Sequence, residues 1–168
     1  MNLITTLTPN QVFVFGSNAS GFSGAGSAGL ACRGDARNNW REDPWFLAAM
    51  RAAPGSPDRV GKWAVYGVAR GWQQGREGMS YAIQTIEKPG WRRSTPLKVI
   101  EDQIVELLRF CAEHPEWQFL GTPIGCGYSG YSASEMEWCW SNALWRGGGC
   151  PTNLVLPEYA TEPDASTT

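Results

Sequence analysis

An apolar run that collapses into small residues constrains this chain more than any other feature. Val12-Phe13-Val14-Phe15 has no polar alternation, and from Gly16 to Gly29 the chain is glycine, serine and alanine apart from Asn18 and Phe22. β-Branched and aromatic residues in unbroken succession fit a strand covered on both faces, and so an interior strand of an α/β sheet. The segment Ala25 to Gly34 is small and helix-compatible, which predicts that the glycine loop runs into a helix N-terminus. The same pattern returns later. Phe119 to Ile124 predicts a strand, Gly125-Cys126-Gly127-Tyr128-Ser129-Gly130-Tyr131 a second glycine loop, and Ser132 with Glu135 has the spacing of a helix capping box.

Between the two patterns, Trp63 to Val68 and Ser80 to Ile86 predict two strands joined by a polar, glycine-rich surface connection that holds Trp72, Gln73, Gln74 and Arg76. Thr95-Pro96 opens the clearest helix, with Leu97, Ile100, Ile104, Leu107, Leu108 and Cys111 at helical spacing, and His114-Pro115 closes it. Residues 35–62 read as an excursion with one short helix, Asp43 as its N-cap and Pro44 at its first position. Glu135 to Trp145 forms the last helix, Gly147 to Gly149 ends it, and Asn153 to Leu156 predicts a final strand. The expected order is β, α, β, β, α, β, α, β. It makes one domain over residues 1–158, followed by a loose tail over 159–168.

A net charge of −2 disfavours a broad grip on extended nucleic acid, so a small ligand is the expected partner. The five cysteines contain no C-x-x-C pair and are odd in number, which suggests neither a zinc site nor a full disulfide framework. No metal and no cofactor are expected, and a reducing cytoplasm fits best. No apolar run approaches the roughly 18 residues of a membrane span, and the start of the chain lacks a secretory pattern, so a soluble, unprocessed protein is expected. Homo-oligomerisation stays open. Nine tryptophans are many for 168 residues, and core packing is the preferred reading over base stacking.

Paired glycine loops at the carboxyl ends of strands can hold a ligand, because helix N-termini there offer unpaired amides and a positive dipole end to phosphate oxygens. The alternative is that each loop only makes a tight turn. Neither is a Walker A loop, so a kinase or ATPase is disfavoured. Gly24 to Gly29 matches G-x-G-x-x-G as a string, without a surrounding βαβ unit of the right length.

Catalytic signals are weaker. His114, the only histidine, sits at a helix end with nothing to bring it to either loop. Cys126 lies inside the second loop, where helix-end amides can lower a thiol pKa; a small residue filling a crowded turn is the preferred reading. Asn18 can orient a water but cannot take its proton, and Asp35 and Glu87 are candidates for that task.

The string "FGSN…SGAGSAG", followed by "SYAIQT" and "TPIGCGYSGYS", resembles macro domains, especially compact macro-like proteins of phages. The resemblance spans roughly residues 11–156. It implies a three-layer α/β/α fold with a mixed central sheet, and two loops that embrace the diphosphate and distal ribose of ADP-ribose. It places Ser17-Asn18 near the distal ribose and Gly24, Ala25, Gly26 and Ser27 in the first phosphate loop, with Gly16, Phe22 and Thr85 also among the expected ligand-binding residues. Gly125, Cys126, Gly127, Tyr128, Ser129, Gly130 and Tyr131 make the second loop, with Tyr128 or Tyr131 packing on the ribose. The first loop lacks the family's triple glycine, and no acidic residue follows the first strand to hold an adenine amino group. The implied function is a binder that sequesters a cyclic or modified ADP-ribose immune signal, in the host cytoplasm if phage-encoded. The alternative is a hydrolase that removes ADP-ribose from a protein, nucleic acid or small acceptor.

Overall fold

The computed structural model describes residues 4–22 and 24–160. Strand β1 (Gln11–Asn18) lies at the centre of a five-stranded mixed sheet with β2 (Gly71–Gln74), β3 (Met79–Ile86), β4 (Gln118–Gly121) and β5 (Leu154–Val155), in the order β2-β3-β1-β4-β5. Only β2 runs antiparallel to its neighbour. The two-sided burial expected of β1 follows from the period of two in a strand. Val12 and Val14 face one core, together with Ile83 and Phe119, and Phe13 and Phe15 face another.

Helices α1 (Gly26–Arg33) and α2 (Pro44–Arg51) cover the Phe13/Phe15 face, while α3 (Leu97–Glu113) and α4 (Ala133–Arg146) cover the other. This is the expected three-layer α/β/α architecture. In α3, Ile100, Ile104, Leu107, Leu108 and Cys111 are buried, as their spacing predicts, and His114 is the C-cap. Helix α2 starts at Pro44, and the Asp43 carboxylate accepts from the N–H groups of Trp45 and Phe46 at 2.9 and 3.1 Å. None of the helices among the described residues is long and apolar enough to cross a membrane.

Three expectations are corrected. Trp63 to Val68 is not a strand, although Trp63, Ala64 and Tyr66 are buried. Its backbone instead satisfies the end of α1, with the N–H groups of Lys62, Trp63 and Ala64 donating to the Cys32 and Ala31 carbonyls. The segment read as a surface connection supplies the strand: β2 pairs Trp72 with Tyr81 and Gln73 with Ser80. Gln73 is buried because its side-chain amide replaces missing ladder bonds, accepting from Val65 N–H at 2.7 Å and donating to Val68 C=O at 3.0 Å. Third, the folded unit passes residue 158. The Tyr159 hydroxyl donates to Ile124 C=O at 2.9 Å and Ala160 is buried, while residues 161–168 of the expected tail lie outside the described residues.

Of the tryptophans, Trp63 and Trp140 are core residues, as expected, but Trp72, Trp91, Trp138 and Trp145 are exposed.

Candidate functional site

The chain leaves β1 on one face of the sheet toward β3, and later leaves β3 on the other face to reach β4, so the loops after β1 and β4 diverge around the central strand. Ligand crevices form at such switch points, beyond the carboxyl ends of parallel strands. A cavity of about 910 Å³ lies there, bordered by the ends of β1 and β3, both glycine loops and part of the 35–62 insertion. That volume sits within the roughly 300–1,000 Å³ usual for small-molecule sites.

Backbone N–H groups dominate the two loops. Those of Ala25, Ser27 and Ala28 at the start of α1 have no acceptor among the described residues, and the N-cap Ala25 offers no side-chain oxygen to compete with a ligand. Across the cavity, the N–H groups of Gly125, Gly127, Tyr128 and Ser129 also lack an acceptor among the described residues. Runs of unpaired amides of this kind form anion-binding concavities. Apart from the Tyr128 phenol, Arg41 and Arg92 are the only ionisable side chains bordering the cavity among the described residues. Neither guanidinium has a carboxylate partner there; Arg41 lies 4.3 Å from the centroid of the Trp40 ring.

Of the residues singled out in the sequence, Gly16, Ser17, Asn18, Phe22, Gly24, Ala25, Gly26, Ser27, Thr85, Gly125, Gly127, Tyr128 and Ser129 border the cavity. Asn18 bends the chain out of β1, its Oδ1 accepting from Ser20 Oγ at 2.7 Å and Gly21 N–H at 3.0 Å. Ser17 is buried and donates to Ala69 C=O, and Thr85 Oγ1 accepts from Ser129 Oγ at 2.6 Å, tying β3 to the second loop.

Cys126, Gly130 and Tyr131 do not border the cavity. Cys126 packs against the α3/α4 core, and burial pushes its thiol up, the opposite of activation by helix-end amides. Tyr131 is buried and donates to Thr95 C=O at 2.5 Å, so Tyr128 is the tyrosine left at the cavity. Gly130 packs against the Arg92 side chain in a left-handed conformation. The carboxylates Asp35 and Glu87 also stand away from the cavity: Arg37, bonded to Asp35 at 2.8 Å, holds that carboxyl well below the usual carboxylate range. His114 stacks on Trp117 at 4.5 Å, remote from both loops.

Sequence reasoning missed one wall. Asn38, Trp40, Arg41, Phe46 and Met50 reach the cavity from the insertion, and Pro89, Gly90 and Arg92 from the loop after β3. Trp40 and Phe46 pack with centroids 4.8 Å apart, and Phe46 meets Phe22 and Tyr66 edge-on. Arg92, in a proline- and glycine-bearing loop directly after a parallel strand, was the available signal for that side.

The second loop is locked to its helix. Ser132 and Glu135 form the expected capping box, and both carboxylate oxygens of Glu135 accept from Arg93, at 2.8 and 2.6 Å. Arg93 is the one non-glycine residue at positive φ among the described residues, and its N–H donates to Ser129 C=O at 2.6 Å. The Arg93 bonds, followed by that of Ser132 N–H, hold the Glu135 carboxyl down at about 2, from an ordinary 4.5. The folded state favours the charged form, so this contribution is present above pH 4.5 and is lost as pH falls toward 2. The difference in melting temperature between the natural protein and Glu135→Gln is therefore expected to shrink across that interval in thermal melts.

No protein-family model matches the chain, and no curated protein matches it significantly.

Proposed function

We propose that this chain binds an ADP-ribose-related nucleotide between its two glycine loops and holds it without turnover, sequestering a cyclic or modified ADP-ribose signal. The observation that carries the reading is the composition of the cavity border: two rows of amides without an acceptor and two guanidiniums without a carboxylate partner, with no carboxylate, histidine, thiol or amine among the described residues. Such a border attracts a diphosphate, and among the described residues its side chains include no carboxylate or imidazole, the usual general bases. The resemblance to macro domains supplies the ADP-ribose identity. Phe22, Trp40 and Phe46 add an apolar wall suited to a base or ribose face.

The test is a thermal-shift and recovery experiment. Ligand at a hundred times its Kd stabilises the native state by about 2.7 kcal/mol, which raises the melting temperature of a chain this size by roughly 5–10 °C. After heating, the bound nucleotide is expected to return intact by mass spectrometry. No shift with millimolar ADP-ribose or its cyclised derivatives defeats nucleotide binding. Product accumulating well beyond the protein concentration defeats sequestration and makes the cavity an active site.

A further inference from the structure

The guanidinium of Arg33 is where the first glycine loop, the insertion and α2 meet. It stands at the end of α1 with its side chain wholly buried. Its Nε and Nη2 both donate to Gly24 C=O, at 3.2 and 2.8 Å; Nη2 also donates to Asn39 Oδ1 at 2.8 Å and to Arg37 C=O. Nη1 donates to Asp43 Oδ2 at 3.1 Å, while the other oxygen of the same carboxylate caps α2. One planar fork thus fixes a loop carbonyl, the start of the insertion and the helix that brings Phe46 and Met50 to the cavity.

We infer that Arg33 is the positioning residue of the first anion loop and couples that loop to the insertion, so that an anion held by the loop amides tightens the insertion over the cavity. In a trans peptide the C=O and the following N–H point in opposite directions. With Gly24 C=O drawn onto Arg33, Ala25 N–H is turned away from the guanidinium and is left for a ligand. Rotating that peptide breaks two bonds to a buried charge, which is strongly opposed. A second tie works in the same sense: Gly26 N–H donates to Ala36 C=O at 2.8 Å, so the insertion cannot shift without moving the loop. Trp40 completes the joint, because it packs so close to Gly24 that a Cβ there would lie 2.5 Å from its ring. A lysine keeps the charge of Arg33 but cannot span these partners with one ammonium group.

This coupling rests on the nucleotide-binding reading above, and the experiment separates the two. Hydrogen exchange of the full chain, natural and with Arg41→Gln to remove the insertion's own cation from the cavity, is followed by mass spectrometry with ADP-ribose and with inorganic pyrophosphate, which has no base or ribose to touch the insertion. A spread to 35–51 that Arg41→Gln abolishes is direct contact and overturns the coupling. In the natural protein, pyrophosphate is expected to slow exchange in both glycine loops and also over residues 35–51. In Arg33→Lys, ADP-ribose affinity is expected to fall at least tenfold, and pyrophosphate protection to persist at 125–129 without spreading to 35–51. Asn39→Ala, which leaves the Arg33–Asp43 pair intact, is expected to lose part of that spread and carries the test if Arg33→Lys does not fold. Natural-protein binding without protection of 35–51, or a spread unchanged in the folded Arg33 and Asn39 variants, overturns the coupling alone. Absence of any binding by the natural protein overturns the nucleotide reading and the coupling with it.

Discussion

Gly127→Val is expected to leave the fold intact and to weaken ADP-ribose binding at least 100-fold, about 2.8 kcal/mol. A Cβ built at Gly127 meets nothing within 4 Å, and the residue borders the cavity. Its φ lies outside the left-handed region, so the substitution does not meet the penalty a side chain pays there. The valine methyls then occupy the space where a phosphate must come close to the amides of the second loop. Titration calorimetry with ADP-ribose, paired with thermal melts, checks both halves of the expectation; unchanged affinity would mean the loop is only a turn. Other glycines test this less cleanly. Gly26 also has open space but a φ of 64°, and Gly29 leaves no room at all, since a Cβ there would sit 2.3 Å from Asp35 C=O.

Trp140→Ala is expected to cost about 4 kcal/mol, lowering the melting temperature by roughly 8–16 °C. Trp140 is fully buried in α4 against the α3 layer, so its removal opens a cavity that close-packed neighbours cannot fill. Its Nε1 also donates to the Tyr159 hydroxyl at 3.1 Å, which in turn donates to Ile124 C=O at the start of the second loop. Trp140→Phe keeps most of the volume and is expected to lose about 1–2 kcal/mol. Equilibrium urea unfolding distinguishes the two, and equal losses would assign the cost to the hydrogen bond rather than to packing.

The residues that declared themselves in the sequence are those whose role is local. Val12 to Phe15 announce burial on both faces, the apolar stripe of α3 its packed side, and Ser132 with Glu135 the start of α4. What stayed hidden depends on partners distant in the chain. Trp63 and Tyr66 carry the aromatic pattern of a strand, but pattern reports burial and not the partner, and here the partner of the backbone is the end of α1. Within the second loop, composition cannot say which side chains turn inward. Left-handed conformations at Gly125 and Gly130 decide that Tyr128 reaches the cavity while Tyr131 enters the core. The insertion was legible as an excursion, yet its wall of Trp40, Phe46 and Met50 arises only once Arg33 folds it back over the first loop.

The placement of β1 also shapes how the chain assembles. Val12 pairs with Met79 on one side and with Phe119 on the other, so the central strand is made long before either neighbour. At roughly 5–20 residues per second, a ribosome leaves this two-faced apolar segment without strand partners for several seconds. Parallel pairing of such sequence-distant segments is slow to nucleate, because loop closure must precede the contacts that reward it. During synthesis, Val12 to Phe15 is therefore a stretch open to a chaperone, or to another nascent copy, before its own partners exist, and docking of β4 onto its second edge completes its pairing.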